Sequence, residues 1–260
     1  MLVEMKSNKI NKYLIIGMAL ILGVYLGVYV YKWEFRKPLF EVYFFSLNRG
    51  RAIFIRTPEN KTILIGGGQT SETIREITKV MPFYKREIDY LIIPSAVPAQ
   101  IGGLVEIIDR YNIEEIFIPK LVATSTALDL VMKKIRKEKI HTENVERGDE
   151  IIVENNVKIK ILFPYAEFKF NKTSLPEIGL SISYGSTTAY LLGNLSKTIQ
   201  KDIYKNIEIE EGENVVEYYN SAIASKVFAD LLQEIDPKFT FSTREKSMHL
   251  ISDGEEWRKE

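Results

Sequence analysis

Hydrophobic and polar positions change rhythm several times along this 260-residue chain. Residues 1–12 are polar and carry Lys6, Lys9 and Lys12, whereas residues 13–31 carry no charge at all. As a helix that run would rise about 28 Å, close to the ~30 Å hydrocarbon core of a bilayer. Tyr13 at one end and Tyr29, Tyr31 and Trp33 at the other suit the two interfaces. No small-x-small cleavage site follows, so the run reads as one uncleaved transmembrane helix rather than a signal peptide. Residues 1–12 would be its tail, 32–38 a charged linker and 39–260 a folded domain. Lys6, Lys9 and Lys12 on one side balance Lys32, Arg36 and Lys37 on the other, so charge alone does not orient the anchor.

From Leu39 the pattern shortens to strand-like runs. Phe40–Phe45, Ala52–Arg56 and Thr62–Ile65 read as strands, the last closing in Gly66-Gly67-Gly68. Helical spacing follows over Thr70–Val80, with Thr70 or Ser71 as N-cap. Then come a strand at Asp89–Ile93, a helix over Gly102–Tyr111, a strand at Glu115–Ile118 and an amphipathic helix over Thr124–Lys139. Two hairpins follow, Asp149–Val153 with Val157–Phe163 and Leu180–Tyr184 with Thr188–Leu192. A short helix at Thr198–Tyr204, a strand at Val215–Tyr219, a helix over Ala222–Ile235 and a strand at Phe239–Phe241 complete the pattern. Two successive groups of strands followed by helices predict an α/β domain, with two sheets face to face and helices outside.

Composition narrows the chemistry. The 35 basic and 35 acidic residues cancel, so the whole molecule exerts no net attraction on nucleic acid. With no cysteine, disulfides and thiolate metal sites are excluded, and two histidines, His141 and His249, are few for a metal enzyme. The junction Leu91–Leu104 has the strand–loop–helix form in which α/β proteins place reactive groups. Yet its loop, Ser95 to Gln100, holds no His, Asp, Glu, Cys or Lys. Ser95 has no histidine or lysine beside it to activate a nucleophile, and Gly66–Gly68 lacks the lysine and spacing of a phosphate loop.

Four phrases in order resemble the metallo-β-lactamase fold, most closely the domain related to the competence DNA-uptake protein ComEC. Val42–Ile55 resembles V-x-F-x-D-V-G-Q-G-D-A-x-x-I, and Leu64-Ile-Gly-Gly-Gly68 resembles L-I-D-G-G. Ile88–Leu104 resembles I-D-x-L-I-L-T-H-x-H-x-D-H-I-G-G-L, and Tyr184–Asn194 resembles Y-G-x-x-x-x-L-L-T-G-D. The resemblance implies an αββα four-layer sandwich over about residues 39–250, an internal repeat, and an anchor that leaves the domain outside the cytoplasm. It also implies a cluster of histidines and aspartates holding zinc at the mouth of the sheets, where the metal lowers the pKa of a bound water.

The ligands do not carry over. The first two histidines fall on Ser95 and Val97, the next aspartate on Ala99 and the third histidine on Gln100. The aspartate of L-I-D-G-G falls on Gly66, the bridging aspartate on Asn194, and an H-H-G-S phrase on Tyr218-Tyr219-Asn220-Ser221. The acids of the opening phrase have become Ser46 and Arg51; of the late histidines only His249 remains. The glycines stay while the donors go, which implies a scaffold without metal, catalytic residues or cofactor. The expected function is a membrane-anchored binding or scaffold module linked to DNA uptake or the envelope, its protein partner unnamed. Two other readings stand beside it. One is an active phosphodiesterase-like hydrolase with an unconventional site, drawing acids such as Glu217 or Asp253. The other is a nucleic-acid-binding module using the basic run Lys133–Lys139, whose Leu128, Val131 and Ile135 equally suit an ordinary amphipathic helix.

Overall fold

The computed structural model describes residues 14–28, 39–120, 125–165, 177–218, 226–244 and 246–260. The chain divides after Pro38 into two units. In the first, residues 14–28 form a helix, α1, whose apolar side chains are exposed. Among the described residues no helix is long and apolar enough to cross a membrane. Tyr13 and residues 29–31, the ends of the expected span, lie outside the described residues.

The second unit, Leu39–Glu260, holds two mixed sheets. The first comprises β1 (Phe40–Ser46), β2 (Arg51–Arg56), β3 (Thr62–Ile65), β4 (Glu87–Ile92), β5 (Asn112–Pro119) and β6 (His141–Val145) in sequence order. Beyond β1 it continues into β13 (Met248–Ser252) and β14 (Trp257–Lys259). The second comprises β7 (Glu150–Glu154), β8 (Val157–Phe163), β9 (Gly179–Tyr184), β10 (Thr187–Gly193), β11 (Glu213–Tyr218) and β12 (Phe239–Ser242). Each sheet has an antiparallel part followed by a parallel part. β1, β2 and β3 pair antiparallel before β4, β5 and β6 pair parallel. Likewise β8, β9 and β10 pair antiparallel before β11 and β12 pair parallel. The internal repeat is thus visible in the hydrogen bonding.

Three separate cores make four layers. Along β2, Ile53 and Ile55 join the core between the sheets while Phe54 joins the core on the outer face. A strand buried on both faces needs apolar residues at successive positions, and Ala52–Ile55 supplies them. The inner core packs Phe44, Ile55 and Ile63 with Ile159, Ile182 and Leu191. On the outer face of the first sheet lie α2 (Glu72–Val80), α4 (Leu104–Arg110) and α5 (Thr126–Glu138), contributing Ile77, Leu104 and Val131. On the outer face of the second lie α6 (Lys197–Asn206) and α7 (Lys226–Ile235), contributing Ile203 and Leu231. The layers therefore run helix, sheet, sheet, helix.

Local signals account for most boundaries. Ser125 caps α5 by accepting from the Leu128 amide at 3.1 Å, and the helix stops at Lys139 in the left-handed conformation. The helix expected from Gly102 begins earlier, with a short α3 (Pro98–Ile101), because proline is favoured at the first helical position. β6, β13 and β14 were not anticipated. Four of the five residues of β6 are exposed, so no apolar alternation marks it.

The register brings one end of each sheet together. Ser46, Arg51, Ile65 and Ile92 lie at that end of the first sheet. Phe163, Gly193, Tyr218 and Ser242 lie at that end of the second. This shared end is the mouth.

Candidate functional site

The mouth is organised around a buried arginine. Arg51 opens β2 and is only 4% exposed. Its Nη2 lies 3.2 Å from Glu177 Oε2, just before β9, and its Nη1 lies 2.7 Å from Glu217 Oε2 on β11. Both carboxylates are buried. The Glu217 contact is an ion pair without hydrogen-bond alignment. Further donors hold the acids in place. The Asn194 amide donates to Glu177 Oε2 at 2.5 Å, and the Thr243 hydroxyl donates to Glu217 Oε1 at 2.7 Å. One guanidinium on the first sheet is thereby bonded to two carboxylates on the second.

Burial of ions is costly unless geometry compensates, and the local electrostatics carry that imprint. Burial pushes the Glu217 carboxyl above the ordinary range, against the pull of Arg51, the Thr243 hydroxyl and the Gly193 amide. Nearby Glu177 adds to the upward push. For Arg51, burial alone would lower the guanidinium, but the two carboxylates outweigh it and hold it charged. A single positive charge faces two buried anions, and burial favours the protonated form of Glu217.

Two glycines give the triad its room. Gly193 ends β10 at φ +54°, where a side chain would lie 2.2 Å from Glu177 Oε2 and 2.4 Å from Arg51 Nη2. Gly50, at φ +84°, precedes Arg51; a Cβ there would lie 1.6 Å from the Ala99 carbonyl oxygen. Only glycine fits either place.

The neutral loop stands on the other rim. The Gly67 amide donates to the Gln100 carbonyl at 2.8 Å, and the Ile178 amide, next to Glu177, donates to the Pro94 carbonyl at 2.7 Å. Ser95 is fully buried, and its Oγ accepts from the Val97 amide at 3.2 Å, a local turn bond. Val97 and Ala99 are half-buried and offer no donor atom for a metal. Gln100 is buried with its Oε1 lacking a hydrogen-bond partner among the described residues. Gly66 supplies a left-handed turn at the end of β3, beside the Arg51 and Gln100 carbonyls.

The other sequence-derived positions scatter. The Asn194 residue is exposed, and only its amide serves the triad. Ser46 closes β1, its amide donating to Ser247 Oγ at 2.9 Å. Tyr218 is buried in the outer core of the second sheet, its ring edge-on to Phe228 at 5.5 Å. Tyr219 lies outside the described residues. His249, on β13, stacks on Tyr43 at 4.0 Å and pairs through Nδ1 with Glu260 at 2.8 Å. Tyr43 packs on the helix side of the first sheet, so His249 belongs to that face and not to the space between the sheets. Burial lowers its pKa. Asp253 accepts from the amides of Glu255 and Glu256 in the β13–β14 turn, at the other end of the sheets, whereas Glu217 does reach the mouth.

A zinc ion requires three or four donors from histidine, carboxylate or thiolate at about 2.0–2.3 Å. Among the described residues no group of three or more such side chains is placed to hold one. The two carboxylates at the mouth are already bonded to a fixed cation, and any second cation would have to displace Arg51. The described residues at the mouth therefore do not fit the metal that the resemblance implies.

No protein-family model matches the chain, and no curated protein matches it. Among solved structures it is similar to a diphosphatase of the PhnP family, at 11% identity over 75% of this chain and 72% of that one, with a TM-score of 0.42. It is also similar to CmlA, a diiron β-hydroxylase from Streptomyces venezuelae, at 12% identity over 79% of this chain and 45% of that one, with a TM-score of 0.48. A third is MEM-A1, a subclass B3 metallo-β-lactamase isolated from a soil metagenome library, at 13% identity over 67% of this chain and 75% of that one, with a TM-score of 0.42.

Proposed function

We propose that the chain is a membrane-anchored protein of the metallo-β-lactamase fold that acts by binding or scaffolding and not by metal-dependent hydrolysis. The observation that carries this reading is the Arg51 guanidinium bonded between Glu177 and Glu217 at the mouth. A side-chain cation cannot polarise and deprotonate a water as a divalent metal does. The neutral loop from Ser95 to Gln100 offers no general base to replace it. The four-layer architecture and the four sequence phrases support the family relationship, and the uncharged run 13–31 supports the anchor. The ComEC-like phrases favour a setting in DNA uptake or the envelope, with the domain outside the cytoplasm. The test is metal content of the purified full chain after exposure to zinc and manganese. We expect no stoichiometric metal and no zinc-dependent phosphodiesterase turnover; about one tightly bound metal per chain, or such turnover, overturns the proposal.

Nucleic-acid binding through α5 is a second reading, favoured by the exposed Lys133, Arg136 and Lys137 beside Lys134, which is paired with Asp109 and Glu138. It requires salt-sensitive DNA binding that weakens when Arg136 and Lys137 are reversed to glutamate. No DNA shift at low salt removes it.

A further inference from the structure

Among the described residues of the domain, the two most exposed large hydrophobic side chains lie at the end opposite the mouth. Phe83 is 89% exposed and Tyr84 75% exposed, their rings edge-on at 5.6 Å in the turn between α2 and β4. Single exposed hydrophobics are ordinary, but two adjacent aromatics left almost wholly in solvent form a protruding tip. That tip belongs to the end where the domain's chain begins. Leu39 leads into β1, and Glu41 pairs with Arg56. Arg56 Nη1 in turn donates to the Val80 carbonyl at 3.3 Å, three residues before Phe83. Lys85 closes the turn onto the Asn60 carbonyl at 2.7 Å.

We infer that Phe83 and Tyr84 are a lipid-inserting foot that rests on the bilayer surface. The inference deepens the proposed membrane anchor and rests on it. If residues 13–31 span the bilayer, the linker 32–38 reaches at most about 25 Å when fully extended. A domain the size of Leu39–Glu260 has a radius of gyration of about 17 Å, hence a diameter above ~40 Å. The tether is shorter than the domain, so the Leu39 end, with Phe83 and Tyr84, stays within reach of the bilayer. Aromatic side chains are favoured at the interface, where an apolar ring and a polar hydroxyl are both satisfied. Charge does not drive the contact. Arg86 and Arg110 are exposed there, but so are Glu59, Glu87 and Glu114. A neutral bilayer is therefore the partner, and anionic lipid is not required.

The absence of cysteine makes the test clean. The full chain, reconstituted in neutral phosphatidylcholine nanodiscs, would carry one nitroxide on Glu87→Cys, near the tip, or on Ser71→Cys, at the mouth end of α2. Collision with oxygen, which enters lipid, is compared with collision with a water-soluble nickel chelate. We expect position 87 to favour oxygen and position 71 to favour nickel. Adding Phe83→Ser and Tyr84→Ser should bring position 87 to the ratio read at 71, with the melting temperature unchanged because both side chains are exposed. If position 87 reads water like position 71 while the chain stays in the discs, the foot is wrong and the anchor stands. Failure of the full chain to remain with the discs sinks the anchor reading, and the foot with it.

Discussion

Two rims meet at the mouth, and they differ in kind. On the first sheet, the loop from Ser95 to Gln100 is held by main-chain bonds, with its one hydroxyl spent on the Val97 amide. Across from it, Glu177 and Glu217 are held by the charge of Arg51, with the Asn194 amide and the Thr243 hydroxyl donating to them. The shape of the loop survives without reactive groups because glycines and backbone hydrogen bonds set it. The acidic rim survives only because a permanent cation lies between its members. Backbone shape and charge compensation are separable here, and each can be broken alone.

The largest effect should come from the charged rim. Arg51→Met would leave two buried carboxylates uncompensated, a change that typically costs about 3–5 kcal/mol. Urea unfolding of the full chain in mild detergent should show that loss. Replacing all three residues, with Glu177→Leu and Glu217→Leu added, should recover most of it, because an apolar trio avoids the desolvation cost. If the triple variant is no more stable than Arg51→Met, the rim is held by something other than charge compensation.

Next is the neutral rim. Gly50→Ala places a methyl within 1.6 Å of the Ala99 carbonyl at a positive φ. Strain and overpacking together should cost about 3 kcal/mol. The same substitution at Gly148, also at positive φ but with open space around it, should cost only the backbone strain, about 1 kcal/mol. Equal losses at the two positions would show that the loop is not packed as described.

How much of this was legible beforehand follows from the same division. The strands and helices that build the two sheets were readable because successive apolar positions and periodic helices mark buried elements. The loop was readable because its glycines and its missing donors are adjacent in sequence. Of the triad, Glu217 was readable as an acid that could reach the mouth, but its pairing was not, since Arg51 and Glu177 join it from distant positions. Arg51 read only as a lost acid. A signal did exist at Val215-Val216-Glu217-Tyr218, where a charge in a strand otherwise apolar on both faces demands a buried partner. β6 and β14 were illegible for another reason: exposed edge strands carry little apolar alternation.

A smaller effect concerns pH. The Glu217 carboxyl is raised by burial from its ordinary value of 4.5. The native state then binds more protons than the unfolded chain above that pH. The group's contribution to stability is fully present below about pH 4.5 and is lost as pH rises through its native value. Glu217→Gln should remove that loss. Its oxygen can face Arg51 while its amide donates to Thr243, whose hydroxyl can accept instead. Unfolding free energies measured from pH 4 to 8 should therefore diverge in favour of the variant as pH rises. Parallel curves would mean that Glu217 is ionised throughout and that Arg51 alone suffices for both acids.

The smallest effect should be at Gln100, where the resemblance would place a histidine. Its Oε1 is buried without a hydrogen-bond partner among the described residues, so the side chain already bears part of a desolvation cost. Leucine of similar volume removes that orphan acceptor, and replacing an unsatisfied polar group by an apolar one is neutral or mildly stabilising. Gln100→Leu should accordingly change stability by less than about 1 kcal/mol and leave unchanged whatever partner binding the protein shows. The Gln100 carbonyl, which accepts from Gly67 and holds the loop, is untouched by the exchange. A large loss on Gln100→Leu would mean that this side chain has a polar partner after all, and the neutral rim would then be a binding site rather than a preserved shape.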